Sequence, residues 1–151
     1  MTTQLTIPEG KHRLALSWPT VAFMGAVHAL ALLAPWFFSL SALGVMIALH
    51  WLFGSIGICL GYHRLLTHRS FQVPKWLEYI ITTIGALALQ GGPIFWVAAH
   101  RMHHAHTEDA DKDPYSASRG FWWSHMLWLF YVRDEFFNYE RYKRFAPDLD
   151  R

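Results

Sequence analysis

Between Arg13 and Arg64 the chain carries no Asp, Glu, Lys or Arg, an uncharged run of 50 residues. A helix needs about 20 predominantly apolar residues to cross a bilayer, so the run is too long for one span and right for two. The interruption falls at Ala34-Pro35 and at Ser39 and Ser41, where proline cannot continue a helix's hydrogen bonding. The run predicts a transmembrane helical hairpin with spans at about 17–38 and 40–62. Trp18 near its start and Trp36 at its turn sit where interfacial aromatics are common. Lys11, His12 and Arg13 precede the first span and Arg64, Arg69 and Lys75 follow the second, while the turn has no charge. The positive-inside tendency then places both ends in the cytoplasm.

Composition agrees with a membrane class. Of 151 residues, 53% are hydrophobic and only 16% charged, against roughly 25% charged in soluble domains. The first apolar run begins late and is followed at once by a second, which reads as an anchor and not a cleavable signal. The single cysteine, Cys59, excludes an internal disulfide framework and has a packing role in the second run. A net charge of +2 with no long basic stretch gives no sign of a nucleic-acid partner.

The second half is organised around two histidine clusters, HRLLTH at 63–68 and HRMHH at 100–104. Residues 76–99 between them look at first like a third span. A continuous helix there would travel about 36 Å and leave the clusters on opposite faces of the membrane. Gly91-Gly92-Pro93 supplies a break, so the expectation is a helix at about 74–89, a turn at 90–93 and a helix at about 94–106. Residues 107–119 read as a polar loop, and Gly120 to Val132 as a short interfacial helix. The charged tail reads as a cytoplasmic amphipathic helix ending before Pro147. The whole is an all-α membrane protein, a single partial domain over 1–151 with interfacial and cytoplasmic helices at about 74–145.

His100, His103 and His104 stand at i, i+3 and i+4, on one face of a helix. His63 and His68 are five apart, about 140° around an ideal helix, so they point to one centre only if the helix frays between them or if they serve different metals. A two-metal site satisfies both patterns. Imidazole suits Fe, Zn, Cu and Ni alike. The zinc-protease HExxH pattern is absent, because Arg101 follows His100, and so are paired Glu-x-x-His motifs of carboxylate-bridged di-iron bundles. His28 and His50 read as packing or hydrogen-bonding residues, as do His12 and His125, while His106 faces away from the cluster with outer support as its functional role. Glu108, Asp109, Asp111 and Asp113 read as a solvated loop or as carboxylates that orient a ligating histidine.

On these residues the chain resembles the membrane fatty-acid desaturases, in the Δ9 branch that includes cyanobacterial acyl-lipid desaturases and stearoyl-CoA desaturase. The first histidine box of that family is matched by GYHRLLTHRSF at 61–71, the second by WVAAHRMHHAHTEDADKDPYSASRGFWWSHMLW at 96–128. The resemblance implies a four-span fold of which this chain is the N-terminal half, as a fragment or a truncated product. It implies two Fe ions, with O2 as co-substrate, held by His63, His68, His100, His103 and His104 together with a third box, a further H-x-x-H-H; besides HRMHH at 100–104 no other H-x-x-H-H occurs in these 151 residues. It implies substrate contacts at Gln90 and Trp96, which align with positions lining the acyl tunnel. Ala98-Ala99 stand where acyl-CoA enzymes have Arg-Asp, which points to an acyl-lipid substrate.

The activity so implied is insertion of a cis double bond into a fatty-acyl chain, with this fragment alone inactive. Electrons would come from ferredoxin or cytochrome b5, drawn to a cytoplasmic face bearing Lys11, Arg13, Arg64, Arg69, Lys75 and Arg101. The location implied is a bacterial inner or thylakoid membrane in preference to the endoplasmic reticulum. A related di-iron hydroxylase or ketolase, and a non-catalytic metal- or haem-binding membrane module, are the alternatives.

Overall fold

The structure is a computed structural model and describes residues 15–107, 109–132 and 139–149. It is mostly helical. Helix α1 (Trp18–Ala31) has Pro19 in its first turn, where a missing N–H costs nothing. It stops at Ala31 because Pro35 has no N–H to offer the carbonyl four residues back, and the chain passes through a 3-10 turn at Ala34–Phe37. The expected span at 17–38 is thus a helix of 14 residues, about 21 Å long, followed by a tighter turn.

The second apolar segment is longer than expected. Ser39 caps helix α2 (Leu40–His50) by accepting the Ala42 N–H at 3.1 Å. The helix continues without a break into a π-helical stretch at Trp51–Thr67. Leu40–Thr67 is 28 residues and is long and apolar enough to cross a membrane. None of the residues of α1 or α2 is buried. A helix apolar all round and still uncovered has lipid as its fitting solvent.

Burial begins at Gly57. The π stretch buries Ile58, Tyr62, Leu65 and Leu66, which pack with Ile81, Val97, Ala98, Met102 and Ala146. Helix α3 (Lys75–Ala86) lies across it at a glycine contact, where a Cβ on Gly57 would meet the Gly85 nitrogen at 2.6 Å and one on Gly61 the Ile81 Cγ2 at 2.7 Å. Spaced as Gly-x-x-x-Gly, Gly57 and Gly61 let the two backbones touch. The chain then reverses as expected, with Leu89 at φ 58° and Gly91 at φ 94°. Helix α4 (Pro93–Ala105) starts on a proline and carries the second histidine cluster.

Beyond the polar loop the structure departs from the single interfacial helix expected at 120–132. A five-residue helix α5 (Phe121–His125) ends where Met126 takes φ −146°, and a 3-10 turn (Leu127–Phe130) follows. Strand β2 (Tyr131–Val132) pairs antiparallel with β1 (Ala15–Leu16), and Ser17 N–H donates to the Phe130 carbonyl at 2.7 Å. The backbone donors and acceptors there go to a distant segment, so a helix is not required to satisfy them. This two-stranded pairing is the exception to the all-α expectation. Helix α6 (Tyr139–Phe145) ends before Pro147, as the tail suggested, and packs on α4.

Candidate metal centre

The π stretch explains how His63 and His68 face one point. Regular α-helical bonding would put them on different sides, whereas i→i+5 bonding stacks residues five apart. His68 N–H donates to the His63 carbonyl at 3.0 Å, and the Thr67 hydroxyl to that of Tyr62 at 2.8 Å. The two rings therefore meet edge to face, with their Nε2 atoms 3.2 Å apart. On α4, His100 and His104 are one turn apart and their Nε2 atoms are separated by 3.1 Å. Helix packing brings the pairs together: the ligand atoms of His63, His68, His100 and His104 all lie within 4.8 Å of one another.

These donors fit a metal. Two imidazole nitrogens on one ion, each at a bond length of about 2.0–2.1 Å, stand roughly 3 Å apart, which both pairs match. The His100 and His104 rings are also held toward the neutral form that coordinates. Burial first, then neighbouring His104, His63, His103 and His68, lower the pKa of His100 to about 4. Burial and the neighbouring His68 and His103 likewise lower that of His104.

His103 is placed differently. Its ring lies 6.0 Å from that of His100 and 5.6 Å from that of His104, outside the set of four, and stacks on Tyr115 at 4.5 Å. Its Nδ1 is 2.9 Å from Oδ2 of Asp113, a fully buried carboxylate whose Oδ1 accepts the Tyr115 N–H. The Tyr115 hydroxyl in turn lies 3.0 Å from His100 Nδ1. Burial, and then the Asp113 charge, push the Tyr115 pKa up, so it stays a phenol. Asp113 was one of two readings for the acidic loop, the carboxylate behind a histidine. Sequence reasoning does not single out Tyr115, whose only signal is an aromatic residue two positions after an acid.

Gln90 and Trp96 are joined, Trp96 Nε1–H donating to Gln90 Oε1 at 3.2 Å, and the indole lies 5.0 Å from the His100 ring and 6.3 Å from that of His63. The remaining histidines stay apart: His28 bonds the Met24 carbonyl of its own helix, His106 packs on Phe145 and His125 stacks on Phe121. His50 lines an open groove on α2 with Ser41, Met46 and Phe53. His12 and Glu108 lie outside the described residues, as do Lys11 and Arg13. Of the cations expected on one face, Arg101 turns inward and joins Arg69 on Asp148, while Arg69 and Lys75, the latter paired with Glu78, stay exposed. Ala98 and Ala99 are buried against the core.

A sequence profile of the family described as "Fatty acid desaturase" matches residues 40–151. The chain belongs to that family. It is 72% identical over 144 residues to the sn-2 palmitoyl-lipid 9-desaturase of Nostoc sp. (strain 36), covering 95% of this chain and 50% of that protein. It is 52% identical over 118 residues to the sn-1 stearoyl-lipid 9-desaturase of Anabaena variabilis, covering 77% of this chain and 43% of the relative. Against Delta-9 acyl-lipid desaturase 2 of Arabidopsis thaliana the figures are 54% over 104 residues, 69% and 33%. The chain thus spans half or less of the length of each of these relatives. The matched regions include both histidine segments, so the family resemblance and the converging nitrogens concern the same residues.

Proposed function

We propose that this chain supplies the first two histidine boxes of a di-iron, O2-dependent desaturase that introduces a cis double bond, of Δ9 type, into a lipid-linked fatty-acyl chain. The observation that carries the reading is the convergence of four imidazole nitrogens from two segments within 4.8 Å. His63, His68, His100 and His104 would hold iron, and His103, with Nδ1 engaged by Asp113, has Nε2 left to offer a metal. When bound, the iron pair supplies O2 activation and the oxidising power needed to take hydrogen from unactivated methylenes. The protein's own residues do the positioning. Asp113 and Tyr115 engage the Nδ1 atoms of His103 and His100, which orients the opposite nitrogens.

Trp96 and Gln90 form the wall beside the histidines and are the residues proposed to line the acyl tunnel near the reacting carbons. An acyl-lipid substrate is favoured over an acyl-CoA because Ala98 and Ala99 are buried and uncharged, leaving no charged side chain there for a CoA headgroup. Relatives named for palmitoyl-lipid and stearoyl-lipid substrates support the same choice. In this reading the chain is the N-terminal part of a multi-pass protein, one partial domain over 1–151, with α3 and α4 folded back on the cytoplasmic side. Electrons come from a carrier such as ferredoxin or cytochrome b5. Further iron ligands come from a third box of the H-x-x-H-H kind, since five histidines are too few for two irons of four or five ligands each.

The test is the lipid profile of a host lacking its own Δ9 desaturase. The 151-residue chain alone is expected to insert and give no new product, and addition of a C-terminal half with the third box to restore monounsaturated lipid. New alkene from this chain alone would refute the need for further ligands. Hydroxylated lipid from the reassembled protein would replace the desaturase reading with a hydroxylase.

A further inference from the structure

Two of the clustered histidines are each followed at once by an arginine, in His68-Arg69 and His100-Arg101. Both arginines meet on one carboxylate. Arg101 forks onto Asp148, Nη1 to Oδ1 at 2.6 Å and Nη2 to Oδ2 at 3.2 Å, and Arg69 Nη2 reaches Oδ2 at 2.5 Å. Asp148 is not on a loose tail, because Phe145 and Leu149 pack against the core and Ala146 is buried within it.

Arg101 does more than pair. The π stretch ends at Thr67, so the carbonyls of its last turn have no intrahelical donor. Arg101 supplies donors to two of them, Leu66 O at 2.8 Å and Thr67 O at 3.3 Å, and to Phe145 O at 3.0 Å. One planar guanidinium thereby joins the end of the first histidine segment, the helix of the second and the segment after α6. An exposed ion pair contributes little, but a half-buried fork that also closes a helix end fixes geometry as well as charge. Arg69 adds to this. It adopts φ 49°, a left-handed conformation that bends the chain just after His68, and its side chain is tied to the same acid.

We propose that Asp148 is a positioning residue, the fixed point that holds the two histidine segments in register through Arg69 and Arg101. It touches no candidate ligand itself. The consequence for metal rests on the proposed function, but the positioning does not, and the two are separable by experiment. Spin labels at Ser70 and Ala105, in a Cys59→Ser background of the 151-residue chain in lipid nanodiscs, report the separation of the segments without metal. Asp148→Ala and Arg101→Gln are expected to broaden and lengthen that distance, and Asp148→Glu, which keeps the charge, to restore most of it.

Co(II) titration then reads the site. The Kd of Asp148→Ala is expected to rise about tenfold, the lower end of the range for groups bonded directly to metal ligands because Asp148 acts through the two arginines, with Asp148→Glu between it and the parent. Unchanged distances in Asp148→Ala would overturn the proposal, whereas altered distances with an unchanged Co(II) Kd would keep the positioning and overturn its consequence for metal. A parent chain that takes up no Co(II) would sink the metal reading while the distances still decide the positioning.

Discussion

The stretch from Trp18 to Phe53 and the stretch from Gly57 to Leu149 are folded by different solvents. In the first no residue is buried, its surface is Leu, Val, Phe and Trp, and its side-chain hydrogen bonds stay within a few residues. In the second, a compact core of Tyr62, Leu66, Val97 and Met102 is surrounded by bonds between distant segments. The first region satisfies its backbone within its own helices and leaves apolar side chains uncovered, a surface that suits lipid. The second has to keep histidine nitrogens from two segments pointed at one place. A functional site can be built only where side chains have partners, and here that is the π stretch and what packs on it.

The largest expected effect separates histidines by region. In a reassembled enzyme, His63, His68, His100, His103 or His104 changed to Ala should abolish unsaturated product with insertion intact, whereas His28→Ala should leave the lipid profile within about twofold, its ring bonding only its own helix. Full activity in several of the first group would break the comparison.

The next contrast uses glycine. Leucine at Gly85 must displace Gly57 and Tyr62, whose atoms would lie 2.7–3.0 Å from the first carbon added, and a cost of about 1–3 kcal/mol is expected. Alanine at Gly25 or Gly44 meets nothing within 4 Å and replaces a poor helix former, so it should stabilise by about 0.5–1 kcal/mol. Thermal stability of the detergent-solubilised protein, followed by size-exclusion chromatography, measures both; equal behaviour would mean α3 does not press on the π stretch.

Acid should act on the second region alone. The Arg101 guanidinium holds Asp148 at about 2, below its ordinary 3.8. A carboxylate lowered in the folded state stabilises fully above its ordinary value, and the benefit is lost as pH falls toward the folded one. Residues 139–149 are thus expected to gain hydrogen exchange, corrected for its intrinsic pH dependence, between pH 3.8 and about 2. The apolar region has no carboxylate to titrate and should not respond. The smallest effect is topological: single cysteines at Ser70 and Thr107, each in a Cys59→Ser background, should label from the same, cytoplasmic side with no loss of function, and labelling from opposite sides would undo the shared site.

Much of this was legible in the chain itself. The uncharged run located the apolar helices, Gly91 and Pro93 located the reversal, and His100 with His104 declared a helical face. Three things were not legible, each for a physical reason. The convergence of His63 and His68 depends on i→i+5 bonding, which a 3.6-residue period cannot anticipate. The broken segment after Gly120 follows from pairing with Leu16 across almost the whole sequence. Asp148 is one acid in a charged tail until folding sets it against two arginines. The Gly-x-x-x-Gly spacing at 57–61 was a local signal, hidden within a run notable mainly for its hydrophobicity.

The glycine contact between the π stretch and α3 has a consequence for a protein that works in lipid. Most helix pairs are spaced by side chains, whose rotamers loosen as the surrounding acyl chains become more fluid. Gly57 and Gly85 meet backbone to backbone, so their separation is set by atomic radii and has no rotamer to melt. The floor beneath Tyr62, and through it Trp96 and His63, is therefore insulated from the physical state of the bilayer, which is the very property that acyl-chain unsaturation changes.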